Sequence, residues 1–405
     1  MEKQKISNIL DRLRGFSFYL LVAAVAFSNS FTEIATTTII VLWIIRKILD
    51  KDLSIPGGRL TLLLLLFTIW NLASFMNSAY IYNSIRGLLK VITQTLLFAA
   101  TIDHFRGKKN LERFLLFALG FGFLICVNGI IQYTTGMDLI RQRTIDSLDC
   151  LHRVSSSFKH SNDFGAYLIV VISVLLSLFF SKSRNIKERI LLIILISTAG
   201  WSLAATSSRG AWLGFIIAVL FLAMMKSKRL FGIMLLLLVL SPVLLPGSVK
   251  SRFMDLLKVD SVGGTVWERK KLWSGTLAMV KQHPILGFGV NTYTKNFPKY
   301  KPKDYPDVRY THNSYLHMAA EIGVVGSSIF LIFLASVIAS SLRNMSNFKK
   351  GLSRDLSFGL LAGTIGFLAH CGVDTHLYSV TLAAFLFLCL GVIAAFRNLS
   401  YDERN

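Results

Sequence analysis

Two residues in this chain combine a type and a setting that could carry group-transfer chemistry. Arg209 stands in Ser207-Ser208-Arg209-Gly210-Ala211-Trp212, and His312 opens His312-Asn313-Ser314-Tyr315-Leu316. A guanidinium stays charged at any working pH and donates a planar fork of hydrogen bonds, which suits a phosphate or diphosphate. An imidazole titrates near neutrality and can take a proton from an attacking hydroxyl, help worth roughly 10²–10⁴ in rate. A fixed cation and a titratable base together suggest chemistry on a lipid-linked anionic substrate. Each residue also has a plainer reading. An interfacial Arg can snorkel to headgroups, and a His at a helix start can serve as a cap or face lipid.

The elements that must position these residues are membrane helices. Of the 405 residues, 53% are hydrophobic and only 16% charged, the balance of an integral membrane protein. A span needs about 20 mostly apolar residues. Such runs occur near 15–30, 31–48, 60–77, 85–103, 111–132, 163–181, 190–206, 210–225, 230–246, 318–341, 356–373 and 378–396. The expected fold is therefore all-α and polytopic, with about twelve transmembrane helices. The first run lacks a convincing small-residue cleavage site and reads as a retained span. With both termini inside, more than half of the 44 Lys and Arg fall in short inner segments at span ends. That is the positive-inside pattern, so the net charge of +22 reflects orientation and implies no nucleic acid. Arg209 and His312 then share the outer face.

Two outer segments depart from the pattern, residues 133–162 and 247–317, the latter with twelve Lys or Arg. Long loops cross regardless of charge, and a basic surface beside a membrane favours lipid-borne phosphates or anionic headgroups. Residues 249–258 read as an amphipathic interfacial helix, Gly263-Gly264 as a break, and Thr265 to Gln282 as a second helix ended by His283-Pro284. A third helix is expected from near Thr311. The chain thus divides into spans one to nine (1–246), a helical periplasmic cap (247–317) and spans ten to twelve with a cytoplasmic tail (318–405).

Several other side chains map to the outer face. Arg269 could be a second phosphate ligand or, beside Lys270 and Lys271, part of a solvated helix face. His160, Asn162, Asn313, Tyr315 and His317 could line a cavity, as could His370, Asp374 and His376. His317 and Glu321 are four apart and would pair on one helix face, whereas Glu321 lies about 180° from His312. Cys126 and Cys389 sit within spans; Cys150 and Cys371 map near the outer face, where a disulfide is chemically feasible but unassigned. No metal-binding motif is present, so no metal or cofactor is expected. An Arg deep in a bilayer costs ~3 kcal/mol on insertion scales. Interior charge is scarce, with Lys90 the main exception. That scarcity counts against a secondary transporter, the other class that twelve spans would suit.

Residues about 160–330 resemble the O-antigen ligase and polymerase superfamily of bacterial envelope enzymes. The matching pieces are Phe158-Lys159-His160-Ser161-Asn162, Ser208-Arg209-Gly210-Ala211-Trp212, and Arg269 four residues before Trp273. They continue with His283-Pro284-Ile285-Leu286-Gly287-Phe288-Gly289, and then His312-Asn313-Ser314-Tyr315-Leu316 followed by Glu321-Ile322-Gly323-Val324-Val325-Gly326. No piece is specific alone; their order, with the large loop before the last three spans, is. The resemblance implies an inner-membrane glycosyltransferase. It would move a preassembled glycan from undecaprenyl pyrophosphate to a sugar hydroxyl on the periplasmic face. For the ligases the acceptor is the lipid A core; for the polymerases it is a growing lipid-linked chain. It implies His312 as base and Arg209 and Arg269 as diphosphate ligands.

Overall fold

The computed structural model describes residues 2–145, 153–181, 184–227, 229, 231–232, 265–301, 310–345 and 351–402. Its helices are α1 (Glu2–Val25), α2 (Asn29–Asp50), α3 (Arg59–Ala73), α4 (Ile81–His104), α5 (Lys108–Thr135), α6 (Ser161–Phe179), α7 (Ile186–Ala205) and α8 (Arg209–Lys226). They continue with α9 (Thr265–Gln282), the single turn α10 (Tyr293–Asn296), α11 (Ser314–Met345), α12 (Leu352–Cys371) and α13 (Val380–Asp402). Among the described residues there is no strand, only an isolated bridge between Met137 and Thr144.

Eight of these helices are long and apolar enough to cross a membrane: α3 with its extension to Asn77, α4 to α8, α11 and α13. That is fewer than the twelve spans expected. Helices α1, α2 and α12 occupy three of the remaining expected runs but fall outside the set. The first half of α1 carries Lys3, Lys5, Asp11, Arg12 and Arg14, α2 carries Glu33, a Thr run and Arg46-Lys47, and α12 opens on Arg354-Asp355. The expected span at 230–246, the helix at 249–258, the Gly263-Gly264 break and Cys150 lie outside the described residues.

One continuous apolar core runs through the bundle, with α6 and α13 at its centre; 78% and 83% of their most apolar windows are buried inside the protein. Small residues let α12 approach closely. A methyl group added at Gly359 would lie 2.5 Å from the Val174 Cα, and one at Gly363 would lie 2.6 Å from the Val170 Cα. One at Gly366 would lie 2.5 Å from the Gly214 carbonyl oxygen. This is the small-residue packing of membrane helices, where close backbone approach replaces the hydrophobic drive available in water. It fixes α12 between α6 and α8, and so fixes the helix ends that carry the candidate site.

The helices alternate in direction, which gathers the N-termini of α4, α6, α8 and α11 and the C-terminus of α12 at one end. At the opposite end an ion-pair network joins α1, α2 and α4. Arg14 bridges Asp11 at 3.0 Å and Asp103 at 3.1 Å, Arg46 reaches Asp11 at 3.4 Å and also pairs with Asp50, and Arg106 pairs with Asp103.

Helix α11 breaks near its start. Gly323 adopts φ 73° and ψ 175°, and the segment after His283-Pro284 fills the break. Val324 N–H donates to the Pro284 carbonyl at 2.8 Å, Gly289 N–H to the Glu321 carbonyl at 2.8 Å, and Trp70 Nε1–H to the Ile322 carbonyl at 3.0 Å. The segment 284–289 is thus a wedge that satisfies backbone groups the break would otherwise orphan. A small second core of Leu272, Met279, Tyr293, Phe297 and Ala320 joins α9 and α10 to α11.

Candidate active site

His312 sits just before α11 in the left-handed region, at φ 50°. Its neighbours hold it there. Trp273 Nε1–H donates to the Thr311 carbonyl at 3.0 Å, tying α9 to the turn. Thr311 Oγ1 accepts from Asn313 N–H at 3.1 Å. Asn313 Oδ1 accepts from the N–H groups of Tyr315 and Leu316 at 3.1 and 3.0 Å, capping α11. The imidazole is 45% exposed, and its Nδ1 lies 3.2 Å from Asp374 Oδ1. That contact leaves Nε2 as the nitrogen available to a substrate. Left-handed backbone at a residue with a side chain stores strain and is over-represented where function requires a fixed geometry.

Asp374 is the hub. Its Oδ2 accepts from Asn162 Nδ2 at 2.6 Å, its Oδ1 from Thr375 N–H at 2.8 Å, and its backbone carbonyl from Ser314 Oγ at 2.8 Å. Burial alone would raise the carboxyl, but His376 and His312 overcome it and hold the group well below the usual carboxylate range. Asn162 is itself held, its Oδ1 accepting from Arg153 at 2.8 Å, and Arg153 Nε donates to the Thr206 carbonyl at 3.1 Å. The turn before α8 is thereby tied to the turn before α6 and to Asp374.

Arg209 begins α8, two residues after Ser207, another left-handed residue at φ 51°. Ser208 caps the helix, its Oγ accepting from Ala211 N–H at 3.3 Å. Gly210 lies against α12; a methyl group there would come within 2.7 Å of the His370 ring. The Arg269 guanidinium is depressed by burial, raised by Asp374 and lowered again by the charge of Arg209. Arg269 therefore lies within electrostatic reach of both Arg209 and Asp374. Two guanidiniums held near one another favour an anion beside them.

The remaining expected residues separate. His160, exposed, takes the N-cap position of α6 without a side-chain capping bond. Asn313 and Tyr315, expected along the cavity, are structural: Asn313 is the α11 cap, and the Tyr315 hydroxyl donates to the Leu368 carbonyl at 2.7 Å. His317 is 2% exposed and pairs with Glu321 at 3.4 Å, its ring tilted against those of Tyr293 and Tyr378 at centroid distances of 4.2 and 3.9 Å. Glu321 also accepts from Tyr293 N–H at 3.0 Å, so this pair braces α10 against α11, turned away from His312.

Behind Asp374 lies a buried group that motif reading missed. His376 Nδ1 lies 3.3 Å from Asp163 Oδ1, and His376 Nε2 lies 3.2 Å from His370 Nδ1. Burial lowers His376, but Asp374 and Asp163 more than compensate and raise it above the ordinary imidazole value. His370, Asp374 and His376 also offer ligand atoms within 4.8 Å of one another, a donor set able to hold a metal ion. A metal on His376 would compete with the proton that the two carboxylates favour there. The sequence signal was the run of His370, Asp374 and His376 within seven residues. It matches no ligand motif because Asp163 comes from another helix.

Comparison with known proteins supports the resemblance seen in the motifs. Residues 191–331 match the family model described as O-Antigen ligase. That stretch includes Arg209, Arg269 and His312; Asn162, Asp163, Asp374 and His376 lie outside it. No curated protein matches the chain. Several solved chains share its fold. One comes from work described as "Structural coordination of polymerization and crosslinking by a peptidoglycan synthase complex", with a TM-score of 0.50 over 86% of this chain and 98% of that one, at 15% identity.

Proposed function

We propose that this protein is a membrane glycosyltransferase that moves a preassembled glycan from undecaprenyl pyrophosphate to a lipid-anchored sugar hydroxyl. In the ligase form of the reaction the acceptor is a lipid A core sugar, and the site faces the periplasm from the inner membrane. One observation carries the reading. A half-exposed imidazole, fixed by a buried carboxylate, stands at a helix start in the same electrostatic neighbourhood as two guanidiniums. Asp374 holds the His312 proton on Nδ1, which presents Nε2 as the base toward the acceptor hydroxyl. Arg209 and Arg269 bind the diphosphate and gain most as charge develops on the departing oxygen. The nucleophile's oxygen forms the new glycosidic bond, its proton passes to His312, and the carrier diphosphate leaves with the bonding pair.

A polymerase, joining lipid-linked repeat units, uses the same parts. It is favoured by one observation, a cavity lined by Arg86 and Lys90, treated below. The test is a purified reaction with a defined polyprenyl-linked glycan and candidate acceptors. Transfer to lipid A core, abolished in His312→Ala, Arg209→Ala and Arg209→Lys with folding intact, is the expected result. Activity of His312→Ala within a few fold of wild type would remove the base assignment. Chelator should leave the rate unchanged; strong inhibition would instead assign a metal to His370, Asp374 and His376.

A further inference from the structure

Among the described residues, Lys90 is a charge well inside an expected span that this reaction leaves unused. Helix α4 starts at Ile81 beside the site; Asn291 Nδ2, next to the α11 wedge, donates to the Asn83 carbonyl at 3.0 Å. At a rise of 1.5 Å per residue, Lys90 sits about 13 Å down the axis. Arg86 lies one turn nearer the site. Both side chains are exposed, and among the described residues neither pairs with a carboxylate. Ionisable groups at such depth are costly, and those that persist face an aqueous cavity or a charged ligand.

They face a cavity of about 450 Å³ between α2, α4, α11 and α13. Arg86, Lys90, Glu33 and Tyr310 line one part of it; farther down the helices Thr93 and Gln94 give way to Leu97, Phe330 and Phe387. Paired cations above a largely apolar wall match a phosphate joined to a hydrocarbon chain. A free phosphate would gain nothing from the apolar wall, and a neutral lipid nothing from the cations. The cavity also leads toward the base, since Tyr310 in its wall is two residues before His312.

We infer that Arg86 and Lys90 bind the phosphate of a second, single-chain lipid substrate, whose chain enters this cavity while its glycan reaches toward His312. The inference rests on the polymerase form of the proposed transfer, and only in calling that lipid the acceptor. Binding itself is independent, because the cavity shares none of Arg209, Arg269 and His312. Glu33 sets a like charge against the anion, so its removal should strengthen the site, an effect that a merely structural role for these residues would not produce.

The experiment counts lipids on the purified protein by native mass spectrometry and measures affinity with farnesyl phosphate, farnesol and inorganic phosphate as probes. Wild type should take two equivalents of farnesyl phosphate. Arg86→Gln with Lys90→Gln should weaken one of them by about tenfold or more, Lys90→Arg should preserve it, and Glu33→Gln should tighten it by about threefold. Arg209→Ala should remove only the other equivalent. Unchanged stoichiometry and affinity in the Arg86→Gln, Lys90→Gln protein, with an unchanged melting temperature, would overturn the inference. So would equal binding of farnesol, or competition by inorganic phosphate at comparable concentration. Failure of transfer with every acceptor would sink the proposed reaction yet leave the Lys90-dependent equivalent directly countable.

Discussion

At the scale of single residues, the proposed transfer depends on which nitrogen of His312 carries the proton. Asp374 contacts Nδ1 at 3.2 Å, and Asn162 holds Asp374 at 2.6 Å. Asp374→Asn keeps the shape but offers an amide where a carboxylate stood, so the imidazole loses the charged acceptor that fixes its orientation and tautomer. The turnover rate should fall by about 10²–10⁴, the range general-base help supplies, with donor affinity unchanged. Asn162→Ala should cost less, about tenfold, because Thr375 N–H and Ser314 still hold Asp374. A fall in donor affinity with turnover intact would instead place Asp374 among the binding groups. Arg209, Arg269 and His312 were legible in the sequence because such residues are rare beside apolar spans and each stands in a short polar motif. Asp374 was legible only as an outer-face carboxylate, since its meaning lies in a partner 62 positions away. Asp163 gave no signal at all: it opens an apolar helix, where an acid reads simply as a favourable N-terminal charge.

At the scale of elements, the site is held by breaks in helices more than by helices themselves. The turn before α8 and the turn before α11 each place one left-handed residue, Ser207 and His312, immediately ahead of a capped helix. Hydrophobic periodicity predicts where helices run, but it carries no information on such turns, which is why α11 was expected from Thr311 and instead begins at Ser314. The break at Gly323 was equally hidden, because Glu321-Ile322-Gly323-Val324 reads as unbroken span. Its structure makes a sharp prediction. A methyl group on Gly323 would lie 1.9 Å from the Ile285 carbonyl oxygen, on a backbone already at φ 73°. Gly323→Ala should therefore expel the His283-Pro284 wedge and destabilise the protein by about 2–4 kcal/mol, from left-handed strain together with overpacking. Because Glu321 anchors Tyr293 and His317 one turn away, activity should fall along with the melting temperature. An unchanged melting temperature for Gly323→Ala would show that the wedge is not what holds α11 open.

At the scale of the whole molecule, the membrane class was plain from composition, whereas the number of crossings was not. Helices α1, α2 and α12 show why: each mixes a short apolar stretch with charges that the bundle pairs or buries, such as Arg14 with Asp103 and Asp355 with Lys226. A reading by local hydropathy cannot separate a helix shielded by protein from one that meets lipid. What the charge pattern does predict is sidedness, and the fold turns it into a two-ended test. Lys299 is exposed beside α10 at the end that carries His312, and Lys51 is exposed in the α2–α3 turn at the other end. Cys126, Cys371 and Cys389 are buried, so replacing Cys150 with Ser should leave little background thiol labelling. In intact cells a membrane-impermeant maleimide should then label Lys299→Cys but reach Lys51→Cys only after the membrane is opened. The basic inner segments require that order, because translocating short Lys- and Arg-rich turns is disfavoured whereas a long loop crosses regardless of its charge. The reverse pattern would place His312 and both arginines in the cytoplasm, away from any acceptor displayed on the outer face, and the transfer proposed for them could not take place.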